Sequence, residues 1–157
     1  MLPRRERLGT TAFASAFDKG RILRHPLLQL RVHVRGDNEL ATRAAFVVSK
    51  KLGKATVRNR ARRRIREIYR LTAARHHGHL AGLDLIFLAT ALALTAERAQ
   101  LQAAIEQLLR RVVNTVVNTA QGATENAADS GVGRRDAVLR KARNEAGEQG
   151  QSEMTPR

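Results

Sequence analysis

Cysteine and tryptophan are absent from this chain of 157 residues, and aromatic residues make up only 3% of it. Without cysteine there is no disulfide, no thiolate nucleophile and no Cys-ligated zinc, and the chain suits a reducing compartment. So few rings argue against an RNA-recognition sheet that stacks bases on several exposed aromatics. Long apolar runs are missing too. The longest, near Leu83 to Thr95, is too short to span a bilayer and contains Asp84. The charged start, Met1 to Leu8, lacks the apolar segment of a signal peptide. There is no Gly-x-Ser-x-Gly, no His-Glu-x-x-His and no P-loop, nor a pair of carboxylates in the basic region to hold the metals of a protein nuclease. These absences predict a soluble cytoplasmic binding protein with no membrane partner.

Acidic residues are missing where basic ones are densest. Between Lys50 and Arg66 stand Lys50, Lys51, Lys54, Arg58, Arg60, Arg62, Arg63, Arg64 and Arg66, with no Asp or Glu. Residues 1–75 hold 20 of the 29 Lys and Arg but only 5 of the 14 Asp and Glu, so the whole formal charge of +15 lies in the first half. Charge placed so unevenly belongs to a site. The run is not a disordered tail, because Val57, Ala61, Ile65, Ile68 and Thr72 recur at helical spacing, flanked by Tyr69 and Leu71. Asn59, Arg62, Arg63, Arg66 and Arg70 gather on the opposite side. A helix from a Thr56 cap to about Arg75 is expected, burying one face and presenting guanidinium groups on the other. Arginine forks match phosphate oxygens two at a time, so the partner is a nucleic acid. A helix almost purely of arginine suits phosphates and folded RNA better than the base edges of DNA.

Around that helix the pattern predicts a small α/β domain. Residues 1–9 read as a basic, mobile arm. A short helix capped by Thr10 or Thr11 runs to Lys19, with Gly20 to end it. Phe13 and Phe17 share one face of it, which fits core packing first and a stacking platform for unpaired bases second. After a linker from Arg21 to Pro26, Leu28, Leu30, Val32 and Val34 alternate with Gln29, Arg31, His33 and Arg35, a half-buried strand. The turn chemistry of Gly36 to Glu39 predicts a hairpin with a second strand from Ala44 to Ser49. His76, His77 and His79 read as a solvated loop, since no carboxylate or thiolate joins them. Asp84 to Ala89 is a strand covered on both faces, and a last helix runs from about Thr95 to Val117. From Thr119 the composition turns polar and small, which predicts a disordered tail to residue 157, with a transiently helical stretch from Asp136 to Arg143.

The run Ala45-Phe46-Val47-Val48-Ser49-Lys50-Lys51-Leu52-Gly53-Lys54-Ala55, followed by Val57-Arg58-Asn59-Arg60 and by Arg62, Arg63 and Arg66, resembles the signature of the bacterial ribonuclease P protein component. Phe13, Phe17 and Gly20 fit the same family, and the resemblance covers residues from about 4 to 117. It implies a domain spanning 10–118, with a small mixed sheet like the second domain of ribosomal protein S5. The implied order is α-β-β-(β)-α-β-α, with an Arg-rich helix in a left-handed β-α-β crossover, against the usual hand. It also implies the role of protein subunit in a ribonucleoprotein endoribonuclease that removes the 5′ leader of precursor tRNA. The catalytic RNA and its magnesium ions (Mg2+) do the chemistry, and no protein partner is required.

On that resemblance Lys50, Lys51, Lys54, Arg58, Asn59, Arg60, Arg62, Arg63 and Arg66 contact ribonuclease P RNA, with a metal ion near Asn59. Phe13 and Phe17 hold the single-stranded leader, with Phe46 a weaker candidate. Relatives often carry an aromatic where this chain has Arg31, so a phosphate contact replaces stacking there. The rival readings are a ribosomal RNA-binding structural protein of the same fold and a DNA-binding regulator. The second lacks base-reading side chains on the helix.

Overall fold

The structure, a computed structural model, describes residues 1–37 and 39–119. The chain divides into two units, Met1–Val116 and Val117–Arg157, and of the second only residues 117–119 are described. The expected disordered tail and its helical stretch from Asp136 to Arg143 therefore lie outside the described residues, apart from Thr119. No helix among the described residues is long and apolar enough to cross a membrane.

Helix α1 (Thr10–Lys19) is capped by Gly9 and not by a threonine hydroxyl, because Phe13 N–H already closes the first turn on Gly9 O at 2.9 Å. Gly20 does end it. The reason is close approach, not left-handed backbone: φ is −68°, and a Cβ there would stand 2.4 Å from Ala16 O. The segment read as a linker is strand β1 (Arg21–Arg24), paired antiparallel with β2 (Leu28–Val34) in the register Arg21 to Val32. A strand of four residues ending in arginines offers almost no periodicity to read. Pro26 sits in its tight hairpin, which His25 N–H closes on Leu28 O at 3.0 Å.

The expected β2–β3 hairpin does not form. Strand β4 (Leu83–Ala89) lies between β2 and β3 (Arg43–Val48), giving the order β1-β2-β4-β3. β4 runs antiparallel to β2 and parallel to β3. The physical reason is in β4 itself. Its first five residues are all buried, so it needs cover on both faces and both edges, and the centre of the sheet supplies that. The link from β2 to β3 must then step over β4. Its course is fixed by Asp84, 2% exposed, which receives both Nε and NH2 of Arg43 at 2.8 and 2.9 Å. Arg35 reaches Asp84 at 3.5 Å and donates to the carbonyls of Glu39 and Ala41. The hydrogen bonds it donates to Asp84 hold the Arg43 guanidinium more firmly protonated than usual, against the opposing effect of burial.

Helix α2 (Ala55–Leu71) makes the crossover between the parallel strands β3 and β4. It starts one residue before the expected Thr56 cap, with Lys54 in the cap position, and stops four residues before Arg75. Thr72 ends it by turning its N–H and its hydroxyl back onto Ile68 O. A single 3-10 turn (Ala73–His76) follows. Ala61, Ile65, Ile68, Tyr69 and Thr72 are buried as a stripe, whereas Val57 is 46% exposed beyond the edge of the sheet. Tyr69, Phe46 and Phe87 meet with ring centroids 5.3–5.5 Å apart. The short α3 (Ala91–Thr95) and α4 (residues 98–119) complete the core through Ala93, Leu101, Ile105, Leu108 and Val112.

The N-terminal arm is docked, contrary to the expectation of mobility. Leu2 is 2% exposed within the core, Leu8 N–H donates to Ala44 O at 3.2 Å, and Glu6 pairs with Arg75 at 2.6 Å. Strand β3 would otherwise present a bare edge, and the arm covers it.

Replacing Asp84 by Ala leaves Arg35 and Arg43 without their buried counter-charge, and chemical denaturation is expected to show a loss of about 3 kcal/mol. Burial also pushes the Tyr69 phenol up from 10.0 to about 12. The folded state then holds this proton more tightly than the unfolded chain. Its contribution is complete below the ordinary phenol range and is lost as pH rises through about 12. Tyr69 is the only tyrosine, so ultraviolet titration of tyrosinate reads it directly. Ionisation in the native protein at the ordinary phenol pKa would contradict this burial.

Candidate nucleic-acid interface

The start of α2 is set by a tight sequence of turns. Ser49 caps a 3-10 turn (Lys50–Leu52) by accepting from Lys51 N–H. Gly53 then takes φ +137°, a conformation open to glycine and strained for any other residue. That turn swings Lys54 into the cap position, so the lysines at 50, 51 and 54 stand exposed around the helix N-terminus. Arg58 Nε reaches back to Gly53 O at 3.1 Å, which ties the first turn of the helix to the glycine.

Beyond that turn the helix presents Asn59, Arg60 and Arg63 exposed, with Arg58, Arg62 and Arg66 half-exposed beside them. Among the described residues, every ion pair belongs to Arg35, Arg43, Arg70 or Arg75. None of the Lys or Arg residues from 50 to 66 pairs with a carboxylate of the described residues. Glu67, the one acid on α2, is spent on Arg70 at 2.6 Å, and that hydrogen bond holds its carboxyl below the usual range. Arg64 donates to Ala96 O and braces α2 against the segment between α3 and α4. Arg66 lies 5.9 Å from the Phe46 ring, so its stem covers the β3 side of the helix. The structure thus brings Lys50, Lys51, Lys54, Arg58, Asn59, Arg60, Arg62, Arg63 and Arg66 onto one connected surface, charged and uncompensated.

Asn59 does not make a metal site by itself. Its amide oxygen accepts from Arg62 NH1 at 3.2 Å, and its sequence neighbours Arg58 and Arg60 are cations. Magnesium demands six oxygen ligands and favours carboxylates. No group of three or more acidic, histidine or cysteine side chains able to hold a metal occurs among the described residues. The donor set fits an anion, not a cation.

A second surface lies across the sheet. α1 packs on β2 and β4 on the face opposite the aromatic cluster. Strand register places Arg31, Ile86 and Ala45 in one row across this face and Gln29, Leu88 and Val47 in the next. Ala45 and Val47 stay half-exposed, so the β3 side of this face forms a groove beside α1. Phe13 and Phe17 stack at 5.7 Å, half-buried. Arg31 extends that stack, its guanidinium carbon 3.9 Å above the Phe17 ring, and its NH1 donates to Phe17 O at 2.5 Å. Arg31 therefore latches α1 to β2, and its Nε is buried without a partner. A free phosphate-seeking arm was expected there, but the side chain is already half committed.

Phe46 is on the wrong face for this groove. It shares its row with Leu30 and Phe87, is 8% exposed and packs on Tyr69 of α2. The residues of β3 that do face the groove are Ala45 and Val47, missed because the expected hairpin gave no way to carry face parity from β2 to β3. The signal was the parity of β4, which pairs with both strands.

A family described as Ribonuclease P matches residues 2–113. The chain is similar to the ribonuclease P protein component of Roseiflexus castenholzii, 48% identical over 73 residues that cover 45% of this chain and 56% of that protein. It therefore spans little more than half the length of this relative. The counterpart from Chloroflexus aurantiacus is 40% identical over 100 residues, 63% of this chain and 70% of that protein. Among solved structures, the RNase P protein from Thermotoga maritima superposes with a TM-score of 0.55 at 27% identity, covering 68% of this chain and 96% of the other.

The two faces predict different costs for losing a ring. Phe46→Ala opens the core and is expected to lose about 3–5 kcal/mol, whereas Phe13→Ala removes a half-exposed stacking partner for about 1 kcal/mol. Denaturant unfolding of both variants checks this, and equal losses would place Phe13 in the core.

Proposed function

The chain belongs to the ribonuclease P family, and from that premise we propose that it is the protein subunit of a ribonucleoprotein that removes the 5′ leader of precursor tRNA. The observation that carries this reading is the cluster from Lys50 to Arg66, which no carboxylate among the described residues neutralises. Such a surface is relieved by a polyanion of fixed shape, and ribonuclease P RNA is that partner. Arg60, Arg62 and Arg63 receive its phosphates, and Asn59 orients Arg62 toward them. The groove beside α1 takes the single-stranded leader, with Phe13 and Phe17 under its bases and Arg31 as the charged end of the stack. In this reading the magnesium ions and the cutting belong to the RNA partner, and the protein supplies positive charge and the groove.

The test is a cleavage assay with a bacterial ribonuclease P RNA and a precursor tRNA, at magnesium too low for the RNA alone. The protein is expected to release an intact 5′ leader. Replacing Arg60 and Arg63 by Gln should flatten the slope of log affinity against log salt by roughly 1.4–1.8, as two phosphate contacts are lost. No stimulation by folded protein, or an unchanged slope, contradicts the reading.

A further inference from the structure

We propose that a hollow of about 270 Å3 beside the outer edge of β3 holds one unpaired nucleotide of the RNA on α2, with its phosphate between Arg7 and Arg66. The inference rests on the reading of α2 as an RNA surface. The walls of the hollow include Leu2, Arg7 and Leu8 of the arm, Ala45 and Phe46 of β3, and Arg66 of α2.

The first reason is charge. No acidic residue lines the hollow, and neither arginine has a carboxylate partner among the described residues. Arg7 spends Nε on Leu2 O at 2.8 Å, which leaves its terminal nitrogens without a protein acceptor. The Arg66 side chain makes no hydrogen bond among the described residues and lies 5.9 Å from the Phe46 ring centre. Two cations thus face one concave space and repel, with no anion of the protein between them. The arm is held there by other groups: buried Leu2, Leu8 N–H on Ala44 O, and Glu6 on Arg75. Those anchors keep the Arg7 backbone bridged to Ala44, so it cannot leave the hollow without undocking the arm. A phosphate between the two guanidinium groups removes the repulsion.

The second reason is position. Arg66 is the last arginine of α2 without a carboxylate, since Arg70 is spent on Glu67. Ala45 belongs to the floor of the α1 groove. The hollow therefore borders both surfaces at the edge of β3, and a strand of RNA passing round that edge crosses it. Leu8, Ala45 and Phe46 give it an apolar side that suits the flat face of a base, while the arginines suit the phosphate. Its volume sits just under the range of small-molecule sites, which starts at about 300 Å3, so it admits one nucleotide and not a base pair. Bases in a duplex are turned inward, so the nucleotide is an unpaired one.

The chain has no cysteine, so a single introduced thiol carries a photocrosslinker at a known place. In the full chain, Leu8→Cys reports on the hollow, and Thr56→Cys, exposed on the first turn of α2, reports on the α2 surface. With a bacterial ribonuclease P RNA, Leu8→Cys is expected to crosslink to one unpaired nucleotide. Adding Arg7→Gln should cut that yield about tenfold. Crosslinking from Thr56→Cys alone overturns the proposal and leaves the α2 reading standing, whereas crosslinking from neither overturns both. A crosslink from Leu8→Cys to a base-paired nucleotide, or to a second copy of the chain, overturns it as well. Salt dependence gives a measure that needs no change at Leu8. Two arginines on one phosphate count once, so Arg7→Gln with Arg66→Gln should flatten the slope of log affinity against log salt by about 0.7. A change near ~1.4 means two separate phosphates, and no change means an empty hollow; either overturns the shared site.

Discussion

Everything this molecule can present to a partner depends on α2 burying one face while the other stays charged and unanswered. Like charges stand four apart at Lys54 and Arg58, Arg58 and Arg62, Arg60 and Arg64, and Arg62 and Arg66. At a few tenths of a kcal/mol for each pair, the repulsion comes to roughly 1–2 kcal/mol. Burial of Ile65, Ile68 and Tyr69 contributes about 1.5–3 kcal/mol each, so the apolar stripe outweighs the repulsion. The helix forms before any partner arrives, and an incoming polyanion meets an ordered surface. That lowers the conformational entropy lost on binding.

The same balance decides where acids are allowed. Asp37, Glu39 and Asp84 are gathered by Arg35 and Arg43 at one end of the sheet, and Glu6 by Arg75 beyond the end of α2. Each of these acids neutralises an arginine that holds loops or the arm in place. A carboxylate placed among Arg58, Arg60 and Arg63 would do the same there, and would weaken the positive surface on which the proposed function rests. The segregation of ion pairs is visible only once the pairs are known in space.

How much of this could be read beforehand follows from how local each signal is. The amphipathic pattern of α2, the alternation in β2 and the two-sided apolarity of β4 are local, and all three elements stand where the pattern put them. The hairpin expected from Gly36 to Glu39 rested on turn chemistry, and a non-local demand overrode it: β4 needed both neighbours. The misplacement of Phe46 followed from that single error of adjacency. The docked arm was hidden for a different reason. Its composition is basic, and the contact that holds it, Glu6 with Arg75, joins residues far apart in the chain.

The sheet connects the α2 surface and the α1 groove. Arg31 and Ala45 lie in the same row on either side of β4, about 10 Å apart across the strands. Val47, in the next row, stands three residues before Lys50, which puts the lysines within about 10 Å of the groove floor. The path from Phe17 across the sheet toward β3 ends at the turn from Ser49 to Lys54. Gly53 bends the chain at that point, so the exit of the groove and the N-terminus of α2 are one place in the fold. On the proposed function, an RNA on the arginines of α2 and a leader beside α1 would be brought side by side with no moving part. The fixed angle between α2 and the sheet, set by Tyr69 against Phe46 and Phe87, determines their separation. The aromatic cluster lies on neither surface, yet it is what places one relative to the other.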